Sequence, residues 1–177
     1  MLLSTAFGGR YTFDQDAGSV LFHMEASLHE IQGKSKQFAG WVNLGEGSDH
    51  TGGVTVQVNQ LTTGIGVRDE RMYNFVLTEE RYPTIEYTLY TMEGDTAGLD
   101  SGTGTGKLVF KGALTVATVT KDIAIPAAYK WEDGAVRFIG KTTIQWTDFN
   151  LPDPSIKISK LYAPLDIKFS LTVRSAE

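Results

Sequence analysis

Apolar and polar residues alternate with a period of two along most of the chain. Val20, Phe22, Met24, Ala26 and Leu28 alternate with Leu21, His23, Glu25, Ser27 and His29. Phe38, Gly40, Val42 and Leu44 form a second run, and Val54, Val56 and Val58 a third. The pattern returns at Ile85-Tyr87-Leu89, at Leu108 to Val116, at Val119 to Ala127, at Val136 to Ile144 and at Leu165 to Val173. Successive side chains of a strand point to opposite faces, so each run has one wet and one buried face. That is the pattern of antiparallel sheet, because parallel strands covered on both sides lose the alternation.

Turn residues separate these runs. Glu46 to Asp49 with Gly52-Gly53 divides two strands, Gly94 to Gly106 reads as a loop, and Asp133-Gly134 is a tight hairpin signal. Pro126 falls inside a strand and predicts a bulge or a local loss of pairing. One segment leaves the period: Val67 to Leu77, with Met72, Phe75 and Val76 on one side and Arg68, Asp69, Glu70 and Arg71 beside them, predicts a short amphipathic helix. Asn150 to Tyr162, with Pro152 and Pro154, predicts an irregular connection. Eight or nine strands and one short helix indicate an all-β fold. Several runs exceed ten residues, which favours the tilted staves of a single antiparallel β-barrel over a sandwich.

The face that parity turns inward mixes Gly40, Gly112, Gly140, Ala26 and Ala127 with Phe22, Phe38, Phe110, Phe138, Phe169 and Tyr87. Glycines there have two readings. They permit strand coiling at barrel corners, or they leave room for an apolar ligand inside a hollow barrel.

Composition narrows the function. The 177 residues suit one domain; 41% are hydrophobic, 21% are charged, and the net charge is −5. An acidic chain is a poor partner for phosphate backbones, so nucleic acid is excluded as an expected ligand. With no Cys, disulfides, thiolate nucleophiles and Cys-bound metals are excluded too. No run reaches the roughly 18 apolar residues of a membrane span. The start, Met1 to Phe7, lacks the form of an intact signal peptide. The expected location is cytoplasmic if the chain is complete and periplasmic if a signal was removed.

Candidate chemistry is sparse. Gly102 to Lys107 and Gly33-Lys34-Ser35 both fail the phosphate-loop pattern, which needs a Gly five residues before its last Gly and Ser or Thr after Lys. His23, Glu25 and His29 share one outer face and read as polar surface, so no metal is expected. No serine sits in a nucleophile-elbow context, and no catalytic residue is assigned. Arg68 is placed to grip a polar head group at a pocket mouth by paired hydrogen bonds, and Lys121, on inward parity, is a second candidate.

Several stretches together resemble the YceI-like family of lipocalin-like barrels. Tyr11-Thr12-Phe13-Asp14 with Ser19 to Phe22 looks like its opening, and Gly33, Phe38 and Gly40 match its next strand. Leu61-Thr62-Thr63-Gly64, Arg68-Asp69, Met72, Leu77 and Tyr82-Pro83-Thr84-Ile85 resemble its most recognisable block. Gly112-x-Leu114-Thr115-Val116 with Val119-Thr120-Lys121 is similar to a further motif, and the likeness runs from about Tyr11 to Val173. The chain departs from the family at Ala26, Arg71 and Ala117-Thr118, where the family often carries His, His and a His-Gly pair.

The resemblance implies a short extension over residues 1–9 and a YceI-like barrel over 10–177. It also implies a non-catalytic carrier of a long-chain apolar lipid, a polyisoprenoid or isoprenoid quinone, with no cofactor beyond that lipid. A ligand in a hollow barrel would meet Phe22, Met24, Phe38, Val42, Val56, Tyr87, Phe110, Leu114, Phe138 and Phe169, with Arg68 and Lys121 at its head group. Two other readings stay open: a filled barrel serving structure or protein interaction, and an enzyme acting on a lipid or small acid. Outward-facing Trp41, Val109 and Ile139 leave room for a homodimer surface.

Overall fold

The computed structural model describes residues 9–35, 37–45 and 49–176. The start from Met1 to Phe7 and most of the Glu46 to Asp49 turn lie outside them. The strands are β1 (Gly9–Phe13), β2 (Ser19–Ala26), β3 (Glu30–Ser35), β4 (Phe38–Leu44), β5 (Thr51–Gln57) and β6 (Leu61–Thr62). They continue as β7 (Thr84–Gly94), β8 (Thr105–Val116), β9 (Val119–Glu132), β10 (Ala135–Gln145) and β11 (Leu161–Ser175). Every neighbouring pair is antiparallel, and β1, β4, β5, β7, β8, β9, β10 and β11 follow one another around a ring. Pairing of β1 with β11, through Tyr11–Ser175 and Phe13–Val173, closes it. The all-β, eight-stranded barrel expected from the sequence is the fold.

Alternation alone does not reveal β1, β3 and β6. The last two, with β2, form a flap that continues from β11 at one end of the barrel. β3 has Ile31 as its one large apolar residue; its inward partner at Gly33 is covered by the Phe22 ring from across the ladder. The apolar surface that would betray this strand therefore belongs to its neighbour.

Turns and breaks follow local chemistry. Asp133 and Gly134 both have positive φ, as a two-residue hairpin between right-twisted strands requires. The β9–β10 ladder ends at Gly140–Ala127 beside Pro126, whereas the β8–β9 ladder runs through Val109–Pro126 unbroken. Proline cannot donate to a ladder, and pairing is lost on the β10 side only. The expected loop after Gly94 holds a short helix, α2 (Ala97–Ser101), ended by Gly102 in the left-handed region. Its Leu99, 0% exposed, plugs the adjacent end of the barrel.

The interior is divided. One end is solid, filled by Tyr11, Val42, Leu44, Leu89, Met92, Leu108, Phe110, Ile125, Tyr129, Val136, Phe138 and Val173 around Leu99. The other end is lined by a second cluster that includes Val56, Leu61, Leu77, Leu114, Val116 and Phe149.

A blind apolar cavity at one end of the barrel

The second end encloses a cavity of about 500 Å³. Its barrel wall comes from Val20, Phe22 and Met24 of β2, Ile31 of β3, Val56 of β5, Ile85 of β7, Leu114 and Val116 of β8, Ile144 of β10 and Leu165 and Ile167 of β11. The irregular connection after β10 supplies Phe149, Leu151, Pro154, Ile156 and Leu161.

Its third side is the helical segment. α1 (Gly66–Arg71) passes into a single wide turn over Met72–Val76, in which the Leu77 N–H reaches the Met72 carbonyl at 2.9 Å. Widening the turn to five residues stacks Leu77 near Met72. Met72, Val76 and Leu77 thereby all line the cavity. A regular three-turn helix over 67–77 is thus replaced by one α turn and one wide turn.

Asp69 fastens this segment to the barrel. Its carboxylate accepts from the Thr62 hydroxyl at 2.7 Å, the Thr63 N–H at 2.8 Å and the Thr63 hydroxyl at 2.5 Å. Burial alone would push the carboxyl up, but these bonds and the Arg68 charge outweigh it and hold it below the usual carboxylate range. Arg68 lines the cavity while its Nε donates to the Thr63 hydroxyl at 2.8 Å and its Nη2 to the Thr63 carbonyl at 3.1 Å.

Polar groups on the cavity surface are few and gather toward the helical and connecting segments. They are His29, Arg68, Arg71, Ser155 and Ser159, together with Trp146, whose N–H is taken by the Tyr162 carbonyl at 2.8 Å. Ser155 accepts from the Leu161 N–H. Ser159 is 8% exposed, and its hydroxyl has no hydrogen-bond partner among the described residues. Arg71 lies 4.6 Å over the Phe75 ring. Exposed apolar residues lie on the same two segments, at Ile65, Val67, Phe75, Ile156 and Ile158, and on the β2–β3 turn at Leu28, with Val67 81% exposed.

The expected ligand-contacting residues divide. Phe22, Met24, Val56, Leu114 and Arg68 line the cavity. Val42, Phe110 and Phe138 belong to the solid end, and Phe38 is buried beside the cavity without lining it. Tyr87 and Phe169 pack against both clusters and also stay off the cavity surface. Lys121 is exposed opposite Leu114, near the start of β9 beside the β8–β9 hairpin. Sequence parity missed Arg71 and the whole 149–161 wall; in that connection no period exists to reveal which side chains face in.

The inward glycines do not hollow the bore. A Cβ at Gly40 would lie 2.3 Å from the Phe13 ring, at Gly112 2.9 Å from the Tyr87 ring, and at Gly140 2.5 Å from the Phe169 ring. Each glycine seats an aromatic ring from a nearby strand, and Phe13, Tyr87, Phe169 and Ile123 are the residues packed against both clusters. Phe169 also stacks on Phe110, 6.1 Å between centroids and 16° between planes. Burial pushes the Tyr87 hydroxyl well above its ordinary value, and that hydroxyl lacks a partner among the described residues. None of the buried residues of the solid end lines the cavity, which stops short of it.

Among the described residues no group of three or more His, Cys, Asp or Glu is placed to hold a metal ion. His23 meets Glu30 and Asp166 at 3.5 and 3.7 Å on the outer surface. No helix of the described residues is long and apolar enough to cross a membrane.

No curated protein matches the sequence. Among solved structures, BcnA of Burkholderia cenocepacia is similar at a TM-score of 0.78 with 16% identity, covering 90% of this chain and 98% of that one. A polyisoprenoid binding domain from Saccharophagus degradans, implicated in plant cell wall breakdown, gives 0.78 with 15% identity over 94% and 98%. The YceI protein of Campylobacter jejuni gives 0.68 with 21% identity over 85% and 88%. At these identities the likeness is one of fold. The sequence itself matches the model of the YceI-like domain over residues 11–173, the same span that the barrel occupies, and the chain belongs to that family.

Proposed function

We propose that the protein is a non-catalytic carrier of an isoprenoid-type lipid, its tail inside the barrel and its polar end near the connecting and helical segments. The observation that carries this reading is the 500 Å³ cavity, whose lining is apolar except for a few polar side chains. A cavity lined this way offers binding energy chiefly through apolar burial, at about 0.8 kcal/mol per methylene. Around ten buried carbons then suffice for useful affinity before association costs are counted. Arg68, Arg71 and the unpartnered Ser159 hydroxyl are the groups available to a hydroxyl, carbonyl or phosphate end. The description of one structural relative as polyisoprenoid-binding supports the same class. A hydrolytic or redox role finds no convergent polar cluster in the cavity to support it.

Native mass spectrometry of freshly purified protein, followed by solvent extraction, tests the proposal. The expected result is a stoichiometric apolar adduct released on denaturation, or uptake of added prenol by protein that is purified empty. A clean apo mass that takes up neither prenols nor fatty-acyl chains would refute it.

A further inference from the structure

We infer that the open end of the cavity docks on the surface of an anionic lipid bilayer and is loaded there; for its cargo this rests on the carrier reading above. Three residues belong to both the cavity and the outer surface. Ile65, Val67 and Ile156 line the cavity and are also 52%, 81% and 52% exposed, so they mark its opening. Ten large apolar side chains are exposed among the described residues, and six of them lie here: these three with Leu28, Phe75 and Ile158. Leu28, Phe75 and Ile158 are each next in sequence to a residue of the lining, namely His29, Val76 and Ser159. Apolar surface thus runs from the lining out onto three separate segments.

Their backbones are tied. Ile156 and Ser159 each donate an N–H to the other's carbonyl at 3.0 Å, which sets Lys157 and Ile158 at the head of a tight turn. Val67 lies in the first turn of α1, which Asp69 fastens to Thr62 and Thr63. Grouped apolar side chains held out in water mark a surface for association.

Charge selects the partner. Segments 65–77 and 151–161 carry Arg68, Arg71, Lys157 and Lys160 against Asp69, Glu70 and Asp153, a net of +1 on a chain of net −5. Aliphatic tips interleaved with basic residues suit an anionic bilayer: the tips enter the acyl boundary while Lys and Arg stems carry their charges to the head groups. Protein interfaces rely instead on buried aromatic anchors. Only one of the six residues is aromatic, Phe75, and Arg71 lies 4.6 Å over its ring. A carbon chain that passes from the bilayer over Ile65, Val67 and Ile156 stays out of water throughout.

Because the chain has no Cys, an introduced thiol labels a single place. Ile158→Cys at the opening and Ile139→Cys, half-exposed on β10, each receive an environment-sensitive fluorophore. The probes are sedimentable vesicles of phosphatidylcholine alone, and of two parts phosphatidylcholine to one of phosphatidylglycerol. The protein is expected to pellet with the mixed vesicles and several-fold less with the neutral ones. Emission from the label at 158 should shift to the blue, and emission from 139 should not. In unlabelled protein, Ile158→Asp and Val67→Asp should each lower partitioning tenfold or more with urea midpoints unchanged. Lys157→Gln should lower it about fivefold, from roughly 1 kcal/mol per lysine at such a surface.

Failure to pellet with the mixed vesicles, or equal blue shifts at both positions, overturns the inference. A blue shift at 158 that grows with protein concentration in the absence of vesicles assigns the face to a second copy and overturns it too. Protein that takes up prenol from micelles but ignores vesicles refutes the docking and leaves the carrier reading intact. Protein that pellets but takes up no prenol upholds the docking face and refutes the carrier reading.

Discussion

Removing the Asp69 carboxylate should detach one wall of the cavity. Asp69→Ala deletes three hydrogen bonds from Thr62 and Thr63, at 2.5 to 2.8 Å, and leaves their donors without a charged acceptor. Hydrogen bonds to ionised groups contribute about 1.5–3 kcal/mol each when they are fully withdrawn from water. Thr62 and Thr63 are only half-buried, so water reclaims part of the loss, and the expected cost is about 2–3 kcal/mol in total. The folded carboxyl lies below its ordinary value of 3.8. The stabilisation is therefore complete above that value and disappears as pH falls through the lower folded one. Urea denaturation from neutral pH into the acid range should show wild type losing stability on acidification, with part of that loss absent from the variant. Hydrogen exchange should show the amides of 66–77 opening well before the ladders around the solid end. A stability change under about 0.5 kcal/mol, the range of an ordinary surface substitution, with unchanged exchange over α1, would refute the role given to Asp69.

His50 is fully buried, and its Nδ1 accepts the Gly45 N–H at 3.2 Å, a bond that protonation of Nδ1 would break. Burial pushes its pKa below 6.5 against the opposing charges of Asp100 and Asp49. Stability should therefore fall as pH drops below the unfolded value, by at most about 1.4 kcal/mol per pH unit, with that slope reduced in His50→Leu denaturation profiles. Leu99→Ala should cost about 2–4 kcal/mol in denaturation experiments by leaving a void at the solid end, yet leave prenol uptake at the opposite end unchanged. Ala117 turns the β8–β9 hairpin at φ +50°, a conformation that disfavours a side chain. Ala117→Gly should thus raise stability by about 0.5 kcal/mol, the relief of strain exceeding the added freedom of the unfolded chain; a lower melting temperature would contradict this.

The long staves were legible because each carries its own alternation: β8 to β11 appear nearly in full from parity alone. β3 was not, since Gly33 borrows its apolar cover from Phe22. The same borrowing explains the glycines. Parity can place Gly140 on the inner face, but only the fold reveals that Phe169, directly across the ladder, lies over it. The cavity lining was legible where a strand bears it, at Phe22, Met24, Val56 and Leu114, and at Arg68 through its charge beside an apolar helix face. It was illegible where a loop bears it. Nothing in Leu151 to Leu161 distinguishes Ile156, which lines the cavity although half exposed, from Ile158, which does not, until the connection is folded.

The last of the barrel strands in chain order is also the one that joins the others. β11 pairs with β10, with β2 and, through residues 173 to 175, with β1. The hairpins from β7 to β10 need only local contacts, whereas joining Phe13 to Val173 requires nearly the whole chain to be brought together. Contacts so distant in sequence are slow to form, because the entropy of closing the loop must be lost before the contact compensates it. During synthesis, a chain that has not yet released β11 carries its hairpins with two open edges and an uncovered apolar face. Ring closure, and with it the cavity, thus waits for β11, and deletion of that strand removes the barrel as a whole rather than one stave of it.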